Sequence, residues 1–90
     1  MLFAVCWPDG SQQEFYSPSL IVEEYLEPDT DYPVADFVHR SREALGIASD
    51  RVKAKYGMPC SLAAASIASI EQAASGFADG EVRVAGFRRP

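Results

Sequence analysis

The longest periodic pattern in the chain runs from Pro33 to Gly57, where Val34, Phe37, Val38, Ser41, Leu45, Ala48, Val52 and Tyr56 recur every three to four residues. That spacing lines one stripe of a 3.6-residue helix, and Arg40, Arg42, Glu43, Asp50, Lys53 and Lys55 fall on the opposite face. Asp31 and Pro33 are start signals, and Gly57 ahead of Met58-Pro59 is a left-handed stop. Such a helix spans roughly 36 Å at 1.5 Å per residue, so the other elements have to pack along it. Gly46 is its one local conflict and marks either a bend or the close approach of another backbone.

Shorter patterns flank this rod. Leu2–Trp7 predicts a strand that is apolar on both faces, with Leu2, Ala4 and Cys6 on one and Phe3, Val5 and Trp7 on the other. A strand of that kind is central or covered twice, and an uncovered side favours self-association. Trp7-Pro8-Asp9-Gly10-Ser11 has the residues of a tight turn, and the more polar Gln12–Tyr16 suits a returning edge strand. Ser17 or Ser19 caps a helical turn or two over Leu20–Leu26, and Glu27–Asp31 reads as an exposed acidic loop. Ser61 caps a third helix from Leu62 to about Phe77, with Ile67, Ile70, Ala74 and Phe77 as its bulkier stripe. The short link makes it the antiparallel partner of the long helix. Glu81–Phe87 alternates as a third strand, and Arg88-Arg89-Pro90 is a tail. Residues 1–90 thus predict one α+β domain: a three-stranded antiparallel sheet in ββααα β order, the last strand beside the first, with a helical hairpin on one face.

Composition narrows the class. Apolar residues make up 48% of the chain and charged ones 23%, as in ordinary globular domains. No apolar run approaches the roughly 20 residues of a membrane helix, and MLFAVCW lacks the basic flank of a signal peptide. A cytoplasmic location with Cys6 and Cys60 as reduced thiols is expected. Net charge is −5 but unevenly placed: residues 1–36 hold eight carboxylates and no Lys or Arg, whereas residues 37–90 hold eight basic groups against five acidic ones. This blockwise −8 and +3 predicts pairing within the molecule or a polarised surface that orients a partner. Nucleic acid is a poor partner for an acidic chain whose basic helix has no interleaved aromatics.

The residues by themselves define no reaction. His39 and Cys60 are the one Cys–His pair to weigh, but an intact helix keeps them roughly 25 Å apart, and Glu43 is the nearer partner for His39. No metal-ligand spacing and no phosphate-binding glycine motif is present, so neither a metal nor a cofactor is expected. The most chemical cluster is Arg40-Ser41-Arg42, a hydroxyl flanked by two guanidinium groups that suit a carboxylate or phosphate. Its structural counterpart is an Asp36–Arg40 ion pair one turn apart. Trp7 and Tyr16 are candidates for lining a shallow binding surface at the sheet–helix junction, or else core and edge aromatics.

Taken together, WPDGS, YSPSLIVEEY, DFVHRSREAL, IASDRVKAKYGMPCS and IEQAA resemble a family of small bacterial nitrogen-starvation response proteins encoded in clusters with a nitrilase. The likeness covers Trp7 to about Ala74, leaves out the C-terminal FRRP, and includes no catalytic motif, so no residue role transfers. It implies a setting of nitrogen limitation and nitrile metabolism in a bacterial cytoplasm. Two functions are carried forward. One is an accessory or regulatory protein that self-associates and contacts proteins encoded nearby; the other is a small enzyme or metabolite binder with an anion site at Arg40 and Arg42.

Overall fold

A two-strand hairpin opens the computed structural model, which describes residues 1–89. Strand β1 (Leu2–Cys6) pairs antiparallel with β2 (Gln12–Tyr16), Phe3 opposite Phe15. Between them the Trp7 N–H donates to the Ser11 carbonyl at 2.8 Å, the Gly10 N–H donates to Trp7 at 2.9 Å, and Gly10 takes a φ of 88°. That positive φ is the reason for glycine at the corner. Asp9 Oδ1 accepts from the Ser11 hydroxyl at 2.6 Å and the Ser11 N–H at 2.9 Å. These bonds, the hydroxyl's foremost, hold the Asp9 carboxyl below the usual carboxylate range.

After one helical turn, α1 (Val22–Tyr25), the chain forms a strand that its sequence does not announce. This is β3 (Thr30–Pro33), which pairs antiparallel with the last strand, β4 (Glu81–Arg88), Tyr32 opposite Val82. The sheet therefore has four strands in the order β2-β1-β4-β3, not three. An outer position explains why the segment reads as a loop: an edge strand tolerates acids and a proline that a central strand would exclude. β1 is interior, as its two apolar faces require, and β4 lies beside it across an irregularity between Ala4 and Val5.

The long helix α2 (Val34–Tyr56) and α3 (Ser61–Ala74) cover one face of this sheet. Phe3, Val5, Trp7, Phe15, Val82 and Val84 meet Phe37, Leu45 and Ile70 in a single core. Gly57 ends α2 with a φ of 81°, its N–H donating to Lys53 at 2.7 Å. The start is different from the expected cap. Asp31 faces Arg83 instead, and the first helical N–H, that of Val34, donates to the Gly80 carbonyl at 3.1 Å. At Gly46 the helix runs on unbroken, and nothing lies within 4 Å of where a Cβ would be, so no other backbone approaches closely there.

The helix outruns the sheet. Its 23 residues extend about 35 Å, whereas a five-residue strand such as β1 extends about 17 Å. The buried stripe accordingly stops at Ala48, and Tyr56, which the periodicity places on that stripe, is 69% exposed. Helix α3 likewise stops at Ala74, three residues short of Phe77, and a tight turn through Gly76 carries Phe77 onto Trp7. The opposite face of the sheet has no helix on it among the described residues, leaving Leu2, Ala4 and Cys6 half-buried.

Candidate functional site

The groups that could react are dispersed. His39 points outward from the start of α2, with Nε2 3.4 Å from Glu43. Cys60 follows the far end of that helix, and its N–H donates to the Ser49 hydroxyl at 3.2 Å. Cys60 therefore lies beside Ser49, about 15 Å of helix beyond His39, so the chain after Gly57 doubles back and the separation is shorter than the roughly 25 Å expected from the helix end, though still beyond reach of a Cys–His pair. Cys6 lies on the sheet face turned away from α2.

Of the residues singled out in the sequence, Arg40 is the most fully engaged. Its Nε donates to Asp36 Oδ2 at 2.9 Å and one terminal nitrogen donates to the Tyr25 carbonyl at 3.0 Å, while the guanidinium lies 4.9 Å from the Tyr32 ring centre. The Asp36 bond raises its proton affinity above the ordinary arginine value. Arg40 thereby ties α1 and β3 to α2. Arg42 is exposed and reaches Glu71 of α3 at 4.0 Å. Ser41 between them is wholly buried, and its hydroxyl has no hydrogen-bond partner among the described residues. Trp7 is a core residue: it stacks on Phe77 at 5.7 Å and donates its ring N–H to Gln13 at 3.0 Å. Tyr16 borders a shallow hollow of about 330 Å³ with Leu2, Arg88 and Arg89, and its carbonyl accepts from the Ser66 hydroxyl at 2.7 Å. The structure does not gather these five residues around one space.

A larger hollow lies elsewhere, at the end of the molecule where α2 begins and α3 ends. It is an open groove of about 590 Å³ with Val34, Ala35, Val38, Ala74 and Phe77 along its apolar floor and Glu71 and Asp79 among its lining. Nothing in the hydrophobic periodicity marks it, because a turn, Phe77–Gly80, completes it. At the opposite end, the overhang of α2 and the link to α3 expose Tyr56, Met58 and Leu62, at 69%, 72% and 58%. The sequence signal for this tip is the uncharged stretch Tyr56–Leu62 directly after a lysine-bearing helical turn.

Ion pairs account for the blockwise charge. Arg40 meets Asp36, Arg83 meets Asp29 and Asp31, Arg88 meets Glu14, and Arg89 meets Glu23 with two bonds of 2.9 and 3.2 Å. Each joins a basic group of the later part of the chain to an acid of the first 36 residues. Arg89, read as part of a tail, is held by Glu23, which raises its proton affinity. Among the described residues, Arg51, Lys53 and Lys55 enter no such pair.

These features define a small α+β protein with a half-covered sheet, ion pairs that join the acidic and basic parts of the chain, and exposed apolar side chains at a helical tip. The chain belongs to the family of nitrogen starvation-induced proteins called NitG, whose model matches residues 2–87. The match extends beyond the Trp7–Ala74 stretch that carries the likeness by eye. The chain matches no curated protein and no solved structure. Among the described residues no helix is long and apolar enough to cross a membrane.

Proposed function

We propose that this chain is an accessory or regulatory protein of the nitrogen-starvation response that works through protein contacts, with proteins of nitrile metabolism encoded nearby as its partners. The observation that supports this most is the uncovered face of the sheet. Leu2, Ala4 and Cys6 of β1 sit there half-buried beside Ala85 and Gly86 of β4, rimmed by the Glu14–Arg88 ion pair. An apolar centre with a charged rim is the ordinary anatomy of a protein-binding surface. About 15 Å of helix between His39 and Ser49, beside which Cys60 lies, keeps the imidazole and this thiol from acting as a pair.

The test is affinity capture from nitrogen-starved cells. The tagged chain is expected to recover one or more nitrogen-metabolism enzymes, and Ala4→Arg, which puts a charge at the middle of the open face, is expected to release them. Capture of none by the wild type would contradict the proposal, as would retention by Ala4→Arg.

A further inference from the structure

We propose that copies of this chain associate head to tail, the exposed tip between α2 and α3 of one copy seating in the groove at the opposite end of the next. The inference rests on the contact-making reading above and adds a specific surface and occupant. Three observations carry it. The tip presents three large apolar side chains within seven residues, Tyr56, Met58 and Leu62, each more than half exposed. Before it stand Lys53 and Lys55, which enter no ion pair among the described residues, with Lys55 Nζ 5.3 Å from the Tyr56 ring centre, while Arg51 one turn back donates to the Ser19 hydroxyl at 3.0 Å.

The groove has the complementary character. Its floor is apolar, and Asp79 and Glu71 line it, Glu71 sharing only the 4.0 Å approach of Arg42. Its volume of about 590 Å³ is ample for a few side chains. Basic apolar knob thus answers acidic apolar groove, and Coulomb attraction between the two ends would orient the encounter.

Geometry makes the contact intermolecular. Groove residue Ala35 and tip residue Tyr56 are at the two ends of α2, about 30 Å apart along an unbroken helix in a molecule 39 Å long. One copy cannot satisfy both of its own surfaces. Because knob and groove are different surfaces, the contact is heterologous, so every copy added leaves one knob and one groove open to the next.

Analytical ultracentrifugation tests this across protein concentrations up to about 0.5 mM, a range suited to a small, weak interface. The wild type is expected to grow in mass with concentration and to shrink as added salt screens the attraction. Met58→Asp spoils the knob, Ala78→Arg spoils the groove, and each alone is expected to weaken association by about tenfold or more. An equimolar mixture of the two variants retains one good knob and one good groove, and is expected to stop at a heterodimer. Both substitutions are at exposed positions, and circular dichroism verifies the fold. Lys53→Glu/Lys55→Glu, which leaves the apolar contacts in place, is expected to lose association as well. A wild type monomeric throughout would overturn the proposal, as would association indifferent to these variants or a mixture that stays monomeric. Monomeric protein that still captures pathway enzymes would sink the head-to-tail contact alone. Association without capture would sink the reading of the open sheet alone.

Discussion

Ser41 occupies a fully buried position on α2 with its hydroxyl unpaired among the described residues. Desolvating a hydroxyl without a compensating bond costs about 1–3 kcal/mol, and serine is also a weaker helix former than alanine by roughly 0.5 kcal/mol. Ser41→Ala should therefore stabilise the fold, by about 1 kcal/mol. Urea denaturation followed through Trp7, the single tryptophan, measures this directly. A loss of more than about 1 kcal/mol would show that the hydroxyl has a partner worth keeping. Its neighbours illustrate what single residues disclose. Asp36–Arg40 and His39–Glu43 are legible from spacing alone, since residues four apart share a helix face. The Tyr25 carbonyl and Tyr32 ring that complete the Arg40 environment come from 15 and 8 residues away and no local pattern discloses them.

Elements were legible in proportion to the strength of their own periodicity. The rod α2, the hairpin β1–β2, the interior place of β1 and the pairing of β1 with β4 all follow from local pattern and turn residues. β3 does not, because Thr30, Asp31 and Pro33 are poor strand formers that become a strand only when β4 supplies the partner. The groove was hidden for a related reason: two helix ends and a turn make it, and none is distinctive by itself. Two glycines separate local from tertiary demands. Gly46 has an ordinary helical conformation with open space around its missing Cβ, so Gly46→Ala should stabilise by about 0.5–1 kcal/mol. Gly80 holds a φ of 99°, and a Cβ there would sit 2.9 Å from Pro8 Cβ. Its carbonyl also receives the first N–H of α2. Gly80→Ala should cost about 1–3 kcal/mol. Paired thermal melts check both signs, and equal shifts for the two variants would mean that the Phe77–Gly80 turn does not hold the helix start.

At the scale of the molecule, one dimension governs the rest. A helix of about 35 Å outreaches even the longest strand beneath it, the eight residues of β4 at about 27 Å, and the overhang is where Tyr56 stands exposed. The same length puts knob and groove at opposite ends. Charge was legible as a block pattern, and the structure resolves part of it into ion pairs that join Asp36, Asp29, Asp31, Glu14 and Glu23 to arginines of the later part of the chain. The most direct measurement is a spin-label distance in Cys6→Ser/Cys60→Ser/His39→Cys/Tyr56→Cys, labelled at positions 39 and 56, both on α2. A straight α2 predicts a single distribution centred about 25–35 Å, allowing for the label arms. A dominant population below about 15 Å, which the rise per residue of an intact helix cannot produce, would mean that α2 folds back, bringing the two positions within reach of one another.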